Sequence, residues 1–198
     1  MSATAEDRRA RVSDFKRGLI RDAARSVFAR SGIDGASMRA IAAEAGSTTG
    51  AIYVHYATKE ELYADLLGES LEDLLQTLAA ARMAASDGHG GRAVLRALLG
   101  FYRSRPQDFD LSFYLHGGAP RPVGLSRELN RRLNARMREV IDLVGDALVA
   151  DGRGEPGDRR HLGTAASASV FGIVLMLRTG RLRVLDEDAD ALLDAVAP

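Results

Sequence analysis

Residues 35–61 read GASMRAIAAEAGSTTGAIYVHYATKEE, and the way this stretch folds decides the rest. Ser37 is placed to cap a short helix, because its hydroxyl can accept a free N–H of the first turn. Met38, Ile41 and Ala42 share one face of that helix. Gly46 then ends it, since glycine takes a positive φ at no steric cost. Ser47 or Thr48 can cap a second short helix, which carries Ile52 and Tyr53. Thr58, Lys59, Glu60 and Glu61 have the form of a capping box that opens a third helix. Two short helices joined by a tight glycine turn make the helix-turn-helix pattern. In such a pair the second helix enters the DNA major groove, with its N-terminal residues toward the base edges.

Upstream, Phe15, Leu19, Ile20, Ala23, Ala24, Val27 and Phe28 recur at three- and four-residue spacing. This predicts an amphipathic helix over 13–30, ended by Ser31-Gly32, that packs across the two short helices. Residues 6–12 are charged and read as a loose arm or a frayed first turn. Arg8, Arg9 and Arg11 would be solvated there or reach a neighbouring groove. Downstream, Thr58 starts a long helix with the stripe Leu62, Tyr63, Leu66, Leu67, Ser70, Leu71, Leu74, Leu75 and Leu78. Residues 86–91, SDGHGG, read as a flexible loop. Helices follow over 92–104, 106–116, 126–150, 158–179 and 188–196, with breaks at 117–122 and 151–158. No strand, hairpin or repeat stands out, so the fold class is all-α with about nine helices.

Composition narrows the class further. The 198 residues can bury a real core in one or two domains. There is no Cys, which fits a reducing, cytoplasmic setting, and the N-terminus lacks the apolar run of a signal peptide. Net charge is zero, but residues 1–60 hold 10 Lys+Arg against 7 Asp+Glu, so the head is basic and the remainder acidic. That division suits a head that faces phosphates. Lys16 and Lys59 are the only lysines. The longest uncharged run, 162–177, spans 16 residues. That is short of the roughly 17–25 needed to cross a bilayer, so a buried or subunit-facing helix is expected and no membrane partner.

Residues 35–61 resemble the DNA-binding domain of the TetR family of bacterial transcriptional regulators. The family pattern has a Thr or Ser, Ile-Ala, Ala-Gly, a capping Ser, Gly, an aliphatic residue, Tyr, a spaced His or aromatic, an aromatic, and Lys-Glu. Here it stands as Ser37, Ile41-Ala42, Ala45-Gly46, Thr48, Gly50, Ile52-Tyr53, His55-Tyr56 and Lys59-Glu60. Ser47 occupies the place of a usual Val, and Thr48 that of a usual Ser. The resemblance covers about residues 12–65; beyond them it carries architecture alone. It implies a helix-turn-helix DNA-binding domain over 1–57 and a helical ligand-binding and dimerisation domain over 58–198.

Candidate DNA-binding residues are Ser37, Arg39, Thr48, Thr49, Gly50, Tyr53, His55 and Lys59. Arg39 can fork onto guanine or hold a phosphate. Thr48 and Thr49 sit where free helix N–H groups favour a phosphate. Gly50 allows close backbone approach. The resemblance implies backbone contacts from Tyr53, His55 and Lys59, while Tyr53 could equally be half-buried packing. Ala51 offers only a methyl, so DNA shape would share the specificity. Two heads about 34–36 Å apart would read a palindrome, which requires a homodimer. The 162–177 helix has two faces to bury, and the resemblance implies that the last two helices form the dimer interface. Its candidates are Ala165, Ala168, Ser169, Gly172, Leu175 and Met176.

Five of the eleven aromatics crowd into residues 101–114. Phe101, Tyr102, Phe109, Phe113, Tyr114 and the following His116 are candidates for an effector site, an apolar cavity with a few polar groups. Ordinary core packing is the plain alternative for each. No cofactor or metal is expected. Gly152-Arg153-Gly154-Glu155-Pro156-Gly157 spells a dinucleotide motif but follows a helix, and the four histidines lack ligand spacing. The reading is therefore a dimeric, ligand-responsive repressor, not an enzyme. It would bind a palindromic double-stranded operator and be released by a small-molecule effector. The alternatives are a helical carrier or enzyme that uses the aromatic cavity, and a DNA-binding regulator without an inducer.

Overall fold

The computed structural model describes residues 5–113, 115–116, 119–120 and 124–196. Ten α-helices lie among the described residues: α1 Ala5–Gly35, α2 Met38–Glu44, α3 Thr49–Tyr53, α4 Lys59–Ala84, α5 Gly90–Ser104, α6 Pro106–Ser112, α7 Arg127–Ala150, α8 Arg159–Arg178, α9 Arg181–Val184 and α10 Ala189–Val196. A 3-10 turn, Pro156–Asp158, precedes α8. Two two-residue strands, β1 Leu115–His116 and β2 Ala119–Pro120, pair antiparallel where a plain break was expected. The fold is all-α. The helix beyond the nine expected is α9, a single turn too short to show a period.

The chain divides into two compact units. One runs through Leu67 and takes in Asp110–Leu129; the other is Gly68–Phe109 with the chain from Asn130 onward. In the first, Ile20, Ala24, Val27 and Phe28 of α1 are buried with Ile41 and Ala42 of α2, Ile52 of α3 and Leu62, Tyr63 and Leu66 of α4. Phe28 meets Tyr63 edge to face, ring centroids 5.3 Å apart. The Tyr63 hydroxyl donates to the Leu111 carbonyl at 2.6 Å. Gly32, at φ 63°, interrupts the helical backbone where Ser31-Gly32 was expected to end it; one more turn follows. At the other end α1 starts at Ala5, not near Ser13, so the expected arm is helical from Ala5. Its buried stripe begins only at Ile20. Phe15 and Leu19, expected on the packed face, are exposed.

In the second unit glycines set two close approaches. A Cβ on Gly163 of α8 would lie 2.2 Å from the Ile141 carbonyl oxygen of α7 and 2.9 Å from the Gly145 nitrogen. One on Gly145 would lie 2.0 Å from the Arg159 carbonyl oxygen. So α7 and α8 cross backbone on backbone. Gly90 and Gly91, expected in a mobile loop, instead open α5. Their N–H groups donate to the Asp151 carboxylate at 3.1 and 2.7 Å, a helix cap delivered from the end of α7. A Cβ on Gly91 would press against Leu148 at 2.7 Å. Along α5, Arg92 and Arg96 hold Asp194, and Arg103 holds Asp190, so charge pairs bind α10 against α5.

Candidate nucleic-acid interface

The first short helix forms as its sequence dictates. The Ser37 hydroxyl accepts from the Ala40 N–H at 3.1 Å, while Met38, Ile41 and Ala42 turn inward. Gly46 takes φ 58°, and the Ser47 N–H reaches back to the Ala42 carbonyl at 2.9 Å. Ser47 is exposed, so no core contact depends on it. Thr48, rather than Ser47, caps α3, accepting from the Ala51 N–H at 3.2 Å. Ile52 is the one residue of α3 that is buried.

This arrangement turns several of the candidate DNA-binding residues outward. Ser37, Arg39, Thr48 and Gly50 are exposed, and Thr49 and His55 are half-buried. Tyr53 keeps 54% of its surface, so packing does not claim it. Among the described residues no ion-pair partner stands beside Arg39, whereas Arg30 is held by Glu44 at 2.7 Å. That guanidinium holds the Glu44 carboxyl below its ordinary value. Arg39 is therefore an exposed cation on α2 with no ion pair among the described residues.

Lys59 departs from expectation. Its ammonium donates to the carbonyls of Ile33 at 2.8 Å and Ala36 at 3.1 Å, with Asp34 at 3.4 Å. It closes the chain segment between α1 and α2, and its protons are directed into the protein instead of toward a phosphate. The start of α4 also differs from a simple capping box. Thr58 accepts from the Glu61 N–H at 3.1 Å, but the Glu61 carboxylate takes the N–H of Ala57, one residue before the cap.

A further node went unread in the sequence. The Tyr56 ring is buried, and its hydroxyl accepts from Arg17 Nε at 2.9 Å while donating to Asp65 at 2.6 Å. Arg17 also reaches Asp65 at 3.1 Å and stacks over the ring at 5.3 Å. Burial, then the Asp65 hydrogen bond, pushes the phenol up to about 12. Tyr56 and Asp65 are nine residues apart, but Arg17 lies 39 and 48 residues from them, a distance no local pattern reveals.

In the second unit, three of the six expected effector residues come together. Phe101, Tyr102 and Phe109 are buried, and Tyr102 meets both phenylalanines edge to face at 5.3 Å. Phe171 of α8, which crowding in 101–114 could not point to, joins at 6.0 Å from Tyr102. Arg105 lies over Phe101 at 4.7 Å and pairs with Asp73. Phe113 is half-buried and belongs to the other compact unit. Tyr114 lies outside the described residues, as does the side chain of His116.

Helix α8 has two unlike faces. Gly163, Ser167, Val170, Ile173 and Val174 are buried. Ala165, Ala168, Ser169, Gly172 and Leu175 are exposed and Met176 is half-exposed, an apolar strip with small residues. By length and mean hydropathy alone, the span Pro156–Arg178 could cross a bilayer. Its buried face instead packs on α5 and α10, and Arg160 at its start is paired with Asp142 at 2.7 Å. Among the described residues no cluster of His, Asp or Glu is arranged to hold a metal.

Two family models match this chain: residues 20–66 match bacterial regulatory proteins of the tetR family, and residues 92–197 match the tetracyclin repressor-like C-terminal domain. The chain belongs to the TetR family. It is thus a DNA-binding transcriptional regulator and not an enzyme. Solved structures of TetR-type proteins superpose along nearly its whole length. NalD, the secondary repressor of the MexAB-OprM multidrug efflux pump in Pseudomonas aeruginosa, is 26% identical, with a TM-score of 0.68 over 92% of this chain and 95% of that one. The regulator FadR from Bacillus subtilis, solved in complex with stearoyl-CoA, is 19% identical, with a TM-score of 0.69 over 90% and 94%. FadR from Bacillus halodurans, a fatty acid degradation regulator, is 19% identical, with a TM-score of 0.70 over 91% and 92%. At that identity the two FadR likenesses speak for the fold alone.

Proposed function

We propose that this TetR-family chain is a cytoplasmic homodimeric repressor that reads a palindromic operator and lets go when a small molecule binds. The observation that carries the DNA half is what α2 and α3 leave exposed: Arg39, without an ion pair among the described residues, on α2, and Thr48, Gly50 and Tyr53 at α3, with Thr49 half-buried. Arg39 would take a guanine or a phosphate, and Tyr53 and His55 the sugar-phosphate backbone. Lys59 leaves the contact set, because its ammonium is engaged on three carbonyls. The reading head is assigned to 1–57, and 58–198 to effector binding and dimerisation.

The exposed apolar strip of α8 supports the dimer. Water-facing Ala165, Ala168, Gly172 and Leu175 allow close helix approach and gain from being covered. The Phe101–Tyr102–Phe109–Phe171 cluster supports an effector with an apolar body. The edge-to-face contacts within it favour a second reading, in which these rings fill a core and no effector enters. Enrichment of duplexes from a random pool tests the main reading. A palindromic consensus bound by a dimer is expected; no enrichment would remove it. Titrating the bound complex with acyl and aromatic compounds separates the two readings of the cluster.

A further inference from the structure

We infer that Tyr56 is a positioning residue for DNA recognition, its hydroxyl setting the direction of α3 through Asp65 and Arg17. The inference rests on the DNA-binding reading above and adds to it a determinant that touches no DNA. A helix of five residues cannot hold its own direction, because nucleation is costly and few internal bonds repay it. Ile52, fully buried, fixes one point of α3. One point is a pivot; a second is needed to define an axis.

Tyr56 supplies the second point. Its N–H and that of His55 both reach the Ile52 carbonyl, at 3.0 and 2.8 Å, so the backbone from 52 to 56 is one stiff piece. The ring would be satisfied by burial alone, which Phe would serve equally. The hydroxyl does more: it accepts from Arg17 on α1 and donates to Asp65 in the first turns of α4, joining the chain just after the recognition helix to both long helices beside it. Asp65 is also within 3.9 Å of Arg21. Its carboxylate therefore keeps cationic partners when the phenol is removed, and the loss of the hydroxyl leaves no bare charge.

The lever is short and nearly balanced. At about 1.5 Å per residue, Tyr56 and Thr48 each lie about 6 Å from Ile52, on opposite sides. A shift of about 1 Å at the ring thus moves Thr48 and Thr49 by about as much. Recognition geometry tolerates only about 0.5 Å. Contacts to bases should suffer, while the sequence-independent attraction of the charged head should not.

The test takes a duplex enriched from a random pool by the full-length wild-type protein, and a scrambled duplex of equal length and composition. Tyr56→Phe is expected to weaken the enriched duplex about tenfold and the scrambled one less than twofold at one fixed salt, with the far-UV circular dichroism unchanged. Asp65→Ala, which leaves the ring in place, should do the same, and the double variant no more than either alone. Asp65→Asn keeps an acceptor for the phenol and should retain the wild-type ratio. An unchanged enriched-duplex affinity in Tyr56→Phe, additive losses in the double variant, or equal loss on both duplexes would overturn the inference. If Tyr56→Phe does not fold, the contrast between Asp65→Ala and Asp65→Asn decides in its place. Failure of the wild type to enrich any duplex would overturn the DNA reading, and this inference with it.

Discussion

Replacing Lys59 with Met keeps the aliphatic stem and deletes the ammonium that spans Ile33, Asp34 and Ala36. The bonds at 2.8 and 3.1 Å fall in the normal range, while 3.4 Å is long enough to count for little. Hydrogen bonds to a charged group contribute about 1.5–3 kcal/mol each when buried. This site is only part-buried, so water can replace much of what is lost. A total of about 2–3 kcal/mol is the expected cost. For a chain of this length that is a fall in Tm of roughly 4–12 °C. The DNA assay separates this role from the one the sequence suggested. A lysine that neutralises a phosphate changes the slope of log affinity against log salt by about 0.9, hence about 1.8 for two heads. Lys59→Met should leave that slope within about 0.3 of wild type while lowering Tm. A slope reduced by about 1.8 with an unmoved Tm would refute the reasoning and return the ammonium to the DNA.

Arg39→Ala should relax base preference at one position of each half-site by about 1–3 kcal/mol, read by repeating the enrichment; an unchanged consensus would take Arg39 out of the groove. Ala168→Arg places a charge in the exposed strip of α8 and should yield a monomer in sedimentation equilibrium at micromolar protein; a persisting dimer would move the interface elsewhere. Gly163→Ala must push α7 and α8 apart by about 1 Å, at about 3 kcal/mol, whereas Gly100→Ala, with open space around it, should raise stability by about 0.5–1 kcal/mol. Equal melts for those two variants would contradict the backbone contact. The Arg92 and Arg96 guanidinia hold the Asp194 carboxyl below its ordinary 3.8. The stabilisation of α10 is thus present above that value and lost as pH falls through the lowered one. Hydrogen-exchange protection over Ala189–Val196, taken relative to the intrinsic rate at each pH, should fall only at acid pH, and Asp194→Asn should lower it at neutral pH.

The helix-turn-helix was legible because its signals are local. Ser37, Gly46 and Thr48 act on bonds within five residues, and each did what its chemistry requires. The long α4, α7 and α8 were legible from apolar periods sustained over several turns. What escaped is non-local. Nothing near Gly90-Gly91 announces that Asp151 will cap α5 from sixty residues away, so flexible residues were read as a flexible loop. The resemblance points Lys59 at the DNA backbone, yet its hydrogen-bond partners lie more than twenty residues earlier in the chain. The aromatic crowding marked Phe101, Tyr102 and Phe109 but not Phe171, which stands alone in sequence and joins them only through the packing of α8 on α5.

The inward side of α3 amounts to one isoleucine. Exposed Gly50 and Tyr53, and to a lesser degree half-buried Thr49 and Ala51, are therefore under little constraint from core packing, and exchanging them costs the scaffold little. A duplicated gene of this design could acquire a new DNA address by a few substitutions in that one turn of chain, leaving the rest of the fold untouched. The same economy makes positions 49–51 and 53, around the Thr48 cap and the Ile52 anchor, a cassette for rewiring the protein by hand.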